Sequence, residues 1–219
     1  MKLHTQLMTV AGLGGAGLAY FKLARPRVLN YGATHEEIER AMPGDGVLPN
    51  ASLQTTRAVT IATGPEHVWP WLVQMGPKPR AGAYTFDWVE RMLGIDIENS
   101  DRILPEYQHP EAGEVMALND KGTGIKVLEV QPGRALVFQW MPEKSTWAFA
   151  LYPNEDGTCR LVSRNRVPGT GLLFRLSMVA FMEPGSLIME AKMLSGIKRR
   201  AEKLARSGET SAHATASAV

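Results

Sequence analysis

Apolar and polar positions change period several times along this chain, and each change marks an element. Between residues 55 and 62, Arg57, Val59 and Ile61 alternate with Ala58, Thr60 and Ala62, the two-residue period of a strand. Gly64-Pro65 ends it. Pro65 suits the first turn of a helix predicted over 68–75, Glu66 favours the same end through the helix dipole, and Pro70 limits that helix's regularity. A second helical run covers 85–93, with Phe86, Val89, Met92 and Leu93 at helical spacing and Gly94 as its stop. Strand-like runs follow at 114–119, 125–131, 135–141, 146–152 and 159–167, separated by turns such as Gln131-Pro132-Gly133 and Asn154-Glu155-Asp156-Gly157. Connections this short demand antiparallel neighbours.

After Gly169 the pattern turns helical again, first as an apolar piece over 172–182, then as a long helix from Pro184 to about Arg206. Leu187, Ala191, Leu194, Ile197, Ala201 and Leu204 form its apolar stripe, and Lys198, Arg199, Arg200, Lys203 and Arg206 gather where cations complement the dipole. One strand, two helices, five antiparallel strands and a closing helix predict a single α+β domain over 55–206. A sheet of that size twists and curls, and one amphipathic helix cannot fill its whole concave face. A cavity between sheet and helix is therefore expected.

The flanks read differently. Residues 7–21 are uncharged and apolar or small, with four glycines, and fall short of the roughly 20 residues a bilayer span needs. Extending the stretch to 5–23 admits Lys22, whose stem can snorkel. Lys2 precedes it while Lys22, Arg25 and Arg27 follow, a bias that would keep the C-terminal side cytoplasmic, held at the inner membrane face. Three readings stay open for 1–27: a membrane anchor, a plain soluble extension, or a cleaved signal with Gly17-Leu18-Ala19 as the cleavage site. Residues 28–54 read as a polar linker with a short helix at 35–42, announced by Thr34 and Glu37 at capping-box spacing. Residues 207–219 are small and polar and are expected to be disordered.

Composition narrows the partners. A formal charge of +2, from 24 Lys and Arg against 22 Asp and Glu, provides no global field for nucleic acid, so none is expected as a partner. The single cysteine, Cys159, excludes an internal disulfide and reads as a small buried hydrophobe. Five scattered histidines with no i,i+4 pair give no support for a metal, and no phosphate-cradling loop or nucleophile elbow occurs, so no cofactor is expected. Oligomeric state is not readable.

Candidate site residues come from the aromatic and sulfur inventory. Trp71, Trp88, Trp140 and Trp147 could line a cavity with large rigid surface and an N–H to orient a ligand; each equally fits core packing. Trp69 ranks below them, because it cannot share a helix face with Trp71. Met178, Met182, Met189 and Met193 would form an adaptable apolar wall, or simply fill gaps. Tyr84 could offer a phenolic proton to a ligand carbonyl, with Asp87 or Glu90 as a base if burial raised its pKa; first-turn carboxylates also need no function. Alternation puts Ser163 and Asn165 on the inner face of the last strand and Arg160, Arg164 and Arg166 on a solvated outer face.

The element order, together with AVTIATGPEHVWPWLVQMG (58–76), AGAYTFDWVERMLGIDIENSDRILPEYQ (81–108) and KMLSGIKRRAE (192–202), resembles an uncharacterised bacterial branch of the START and Bet v 1-like superfamily, also called SRPBCC or polyketide cyclase/dehydrase. The resemblance covers 55–206. It implies a helix-grip fold, a curved antiparallel sheet around a long C-terminal helix, enclosing a lipid, polyketide or other apolar molecule. No invariant catalytic triad accompanies that fold, so it implies a cavity and not a reaction. The leading expectation is a non-catalytic carrier or sensor of a hydrophobic small molecule. The alternatives are a cyclase- or dehydratase-type enzyme and a packed domain with no ligand.

Overall fold

The computed structural model describes residues 20–92, 94–118 and 122–216. The 1–19 stretch, which carries most of the proposed anchor, Leu93 of the second helix, Asn119 of the second strand and the last three tail residues lie outside the described residues.

The domain opens with a π-helical turn Tyr20–Ala24 running into α1 (Arg25–Leu29), followed by α2 (His35–Glu39) with the capping box of Thr34 and Glu37 in place. Strand β1 (Leu53–Ile61) leads to α3 (Pro65–Val73) and α4 (Asp87–Met92). Then come β2 (Val115–Ala117), β3 (Gly124–Gln131), β4 (Ala135–Met141), β5 (Thr146–Pro153) and β6 (Cys159–Val167). The chain closes with α5 (Leu172–Ser177), a π-helical segment Met178–Met182 and α6 (Glu183–Ala216). The six strands form one antiparallel sheet in the order β1-β6-β5-β4-β3-β2. With α6 packed along its concave face, this is an α+β helix-grip arrangement, as the alternation and short turns predict.

The main core lies between sheet and helix. At one end, Ile61, Leu72, Phe149, Leu161, Leu194 and Ile197 are buried in a single cluster, and the aliphatic stripe of α6 supplies its half. Gly196 explains how close the helix comes: a Cβ there would stand 2.9 Å from both Cβ and O of Tyr84. Tyr84 itself sits at φ 58°, a left-handed conformation rare for an aromatic residue, locked between α6 and the Asn99 side chain that accepts from its N–H.

Two expectations are corrected here. The long helix does not stop at Arg206. It continues to Ala216, because no proline follows and Gly208 stays helical, so the backbone ladder propagates through residues expected to be disordered. The outer arginines are not solvated either. Arg164 is almost fully buried, paired with Asp45 at 2.7 Å and donating to the carbonyls of Glu37, Ile38 and Arg40. Arg160 forks onto Glu37, and Arg166 reaches the carbonyls of Leu48 and Pro49. Stretch 28–54, which the sequence reads as a polar linker with a short helix, is therefore clasped to the convex face over a second small core of Met42, Ala58, Val137, Ala148, Ala150 and Val162. The sequence shows that these arginines share a face; it does not show that another segment covers it.

Candidate functional site

Beyond Met193 the interior opens. One helix cannot fill the whole concavity, and the unfilled end is a cavity of about 590 Å³, so the interior is not the fully packed one of the third expectation. Its walls come from five directions. The sheet gives Leu53 and Thr55 of β1, Ile125 of β3, Phe138 and Trp140 of β4, Trp147 of β5 and Asn165 of β6. Helix α6 gives Ser186, Met189, Glu190 and Met193; the segment before it gives Phe174, Met178 and Met182. Glu143 and Ser145 come from the β4–β5 turn, and Met75, Thr85, Glu90, Ile95 and Ile97 from the helical side. Most of this lining is apolar, and Trp140 and Trp147 stack with centroids 6.1 Å apart, presenting a broad aromatic surface.

Several polar groups interrupt that lining. Glu190, on the inner side of α6, is buried and ion-paired with Arg57, which is itself buried on β1. Ser163 Oγ donates to the same carboxylate, Asn165 Nδ2 donates to it at 3.1 and 3.3 Å, and Trp147 Nε1 donates to Ser163 Oγ at 3.0 Å. Arg57 donates in addition to Ser186 Oγ and to the carbonyl of Val28. This network is saturated. Glu90, contributed to the wall by α4, accepts from Thr85 Oγ1 through Oε1, while Oε2 has no partner. Burial pushes its carboxyl above the usual range, helped by the charge of Asp87 and opposed by the Thr85 hydroxyl. Thr55 Oγ1 is the other buried oxygen of the wall without a partner.

The sequence candidates divide cleanly. Trp140, Trp147, Asn165, Met189, Met193 and Glu90 converge on the cavity. Trp71, Tyr84, Asp87 and Trp88 do not line it. Trp88 is 65% exposed, because α4 turns Glu90 inward and, two residues earlier, Trp88 points away. Trp71 is buried in the main core beneath a T-shaped contact with Tyr84. Tyr84 spends its hydroxyl on the carbonyl of Trp71 at 2.9 Å, accepts from Gln74 Nε2 at 3.0 Å and lies under the Arg200 guanidinium. Burial raises its phenol further from neutrality, so it is a structural tyrosine and not a proton donor to the cavity. Asp87 accepts from Asn99 Nδ2 and fixes the start of α4. Cys159 is buried, with its thiol pushed up to about 11 by desolvation. Among the described residues no cluster of three metal-ligating side chains occurs.

Arg57 and Glu190 were missed as a pair. Signals for both exist: Arg57 shares parity with Val59 and Ile61, and Glu190 interrupts the apolar stripe between Leu187 and Leu194. A charge on each inward face invites the question of a partner.

No family model matches the chain, and no curated protein sequence matches it. Solved structures do. Protein MLL2253 from Mesorhizobium loti is 18% identical with a TM-score of 0.41, the match covering 69% of this chain and 98% of that one. The Aha1 dimer from Colwellia psychrerythraea is 15% identical at 0.42, covering 68% and 96%. The Polyketide_cyc-like protein Cgl2372 from Corynebacterium glutamicum is 15% identical at 0.33, covering 72% and 92%. Similarity at this level leaves the site to be read from its own residues.

Proposed function

We propose that this protein binds and carries a hydrophobic small molecule, of lipid or polyketide-like character, in the cavity between sheet and α6. The observation that carries the reading is the cavity itself: about 590 Å³, mostly apolar, with a stacked tryptophan pair on one wall and methionines on another. That volume is of ligand size, and methionines adapt to variable shapes. The sequence resemblance to START and Bet v 1-like proteins points the same way as an analogy of fold. The test is native mass spectrometry of gently purified protein beside a Met193→Trp variant, whose added bulk intrudes on the cavity. A bound hydrophobic mass in the parent and its loss in the variant is the expected pair. Repeated absence of any bound mass after incubation with membrane extract ends the reading.

One observation favours a second reading, a cyclase- or dehydratase-type enzyme. Glu90 combines burial, a raised pKa and an unpartnered oxygen in the wall of an apolar chamber, the properties of a general acid. In that role its proton would pass to a carbonyl or hydroxyl oxygen of the substrate, without the help of Tyr84. Glu90→Gln keeps the acceptor for Thr85 and removes the acid. Unchanged turnover of a discovered substrate in Glu90→Gln would retire the catalytic reading and leave the carrier reading untouched.

A further inference from the structure

The segment between β6 and α6 has two opposite apolar sides. Phe174, Met178 and Met182 face the cavity, while Leu172, Leu173, Leu176 and Phe181 are exposed, Leu173 by 81% and Phe181 by 76%, and Ile188 in the first turns of α6 is exposed beside them. Between Val167 and Glu183 the sequence holds one charged residue, Arg175. The helical stretch beginning at Leu172 is strongly apolar, and little of its most apolar part is buried against the domain. Large apolar side chains grouped in water mark a contact surface.

The start of the chain adds to this surface. Arg25 grips Glu183 with Nε–Oε2 2.9 Å and Nη2–Oε1 2.7 Å, tying the turn Tyr20–Ala24 to the beginning of α6. Arg25 also lies over the Phe21 ring, and Phe21 and Leu23 are exposed beside it. Lys22 and Arg27 are exposed on the same short stretch, and the residues leading into it, 7–21, carry no charge. Glu183 is buried and neutralised by Arg25, so it offers no exposed negative charge at this edge.

We propose that the 172–182 segment and Phe21–Leu23 together dock the mouth of the cavity onto an anionic lipid bilayer, as an interfacial contact and not a span. A span is excluded by the two ends of the segment: Val167 is hydrogen-bonded into the sheet and Glu183 into the Arg25 pair, so the stretch stays with the domain. An apolar face flanked by Lys and Arg is the pattern of helices lying at the headgroup boundary. A second copy of the chain fits less well, because Lys22 and Arg27 would gain no counter-charge from Glu183, which is buried and already paired with Arg25, whereas anionic headgroups neutralise them. Docking there places Met182, shared by the surface and the cavity wall, between ligand and lipid. The purpose of such docking rests on the cavity reading; the docking itself does not.

The test uses the full chain with Leu173→Cys carrying an NBD fluorophore; Cys159 is buried and takes no label. A control label at Asp156→Cys sits on the β5–β6 turn, at the opposite end of the sheet from Pro168. Vesicles of phosphatidylcholine with phosphatidylglycerol, containing nitroxide on the acyl chains, are expected to blue-shift and quench the label at 173 but not at 156. Binding to phosphatidylcholine alone is expected to be weaker. A label at 173 that stays in water while the protein sediments with vesicles overturns the proposal. So does a label already blue-shifted without lipid, which would mean that the chain's own first residues or a second copy cover the surface. Leu173→Ser with Phe181→Ser is expected to lower vesicle affinity about tenfold, while cis-parinaric acid uptake persists. Loss of that uptake in the parent protein, with vesicle docking intact, would remove the cavity reading and keep the docking.

Discussion

Two buried glutamates face the same cavity and live opposite lives. Glu190 on α6 is satisfied by Arg57, Ser163 and Asn165, and through Ser163 by the indole of Trp147. Glu90 on α4 has the Thr85 hydroxyl on one oxygen and nothing on the other. A carboxylate saturated by a cation and neutral donors has little left to offer a ligand; it ties helix to sheet. A carboxyl with one free oxygen and a raised pKa holds hydrogen-bonding capacity in reserve. The difference teaches that burial of an acid in a cavity wall does not by itself mark chemistry. Its unspent bonds do.

That contrast can be broken most forcefully at the saturated end. Glu190→Leu leaves the Arg57 guanidinium buried without its counter-charge and is expected to destabilise the fold by about 3–5 kcal/mol in urea unfolding. The double variant Arg57→Leu with Glu190→Leu is expected to recover much of that loss. Equal destabilisation by single and double variants would mean that the pair is not the tie described here.

A smaller effect is expected at the close contact that seats α6 against Tyr84. Gly196→Ala pushes a methyl into Tyr84 Cβ and O and is expected to cost about 1–3 kcal/mol, read as a fall in thermal midpoint. Trp147→Phe removes the indole donor to Ser163 while keeping the stacked ring, and about 1 kcal/mol is expected. If Trp147→Phe costs nothing, the Glu190 network ends at Ser163.

At the unsaturated end the sign depends on pH. A folded pKa raised above the ordinary carboxylate value means the native state prefers the protonated form. The contribution of Glu90 is fully present below its unfolded pKa and is lost as pH rises through the raised folded value. Glu90→Gln, neutral at all pH, is therefore expected to match the parent near pH 3 and to exceed it in stability at neutral pH. A parent that gains stability relative to the variant on raising the pH would show that Glu90 is held as a charge, and the contrast with Glu190 would collapse. The smallest effect belongs to Trp88→Ala, expected within about 0.5 kcal/mol and without change in ligand retention, because the ring stands in solvent.

Much of this was legible in the residues alone. Period-two runs and short Gly, Pro and Asn turns dictated an antiparallel sheet, and the stripe on the last helix dictated what that sheet would close upon. Parity alone put Asn165 indoors, and helical spacing put Met189 and Met193 on one wall. Such patterns are local, and local patterns survive into the fold because the side-chain period of each element is fixed by backbone geometry. What the tertiary structure decided is which of two available faces each short element turned inward. On α4 it chose Glu90 over Trp88; at Tyr84 it chose the core over the cavity. It also brought Arg57 to Glu190 across 133 positions and laid residues 28–54 over the outer arginines. A helix of six residues carries too few apolar positions to fix its own orientation, and an ion pair so distant in sequence exists only once two packed layers have set its distance.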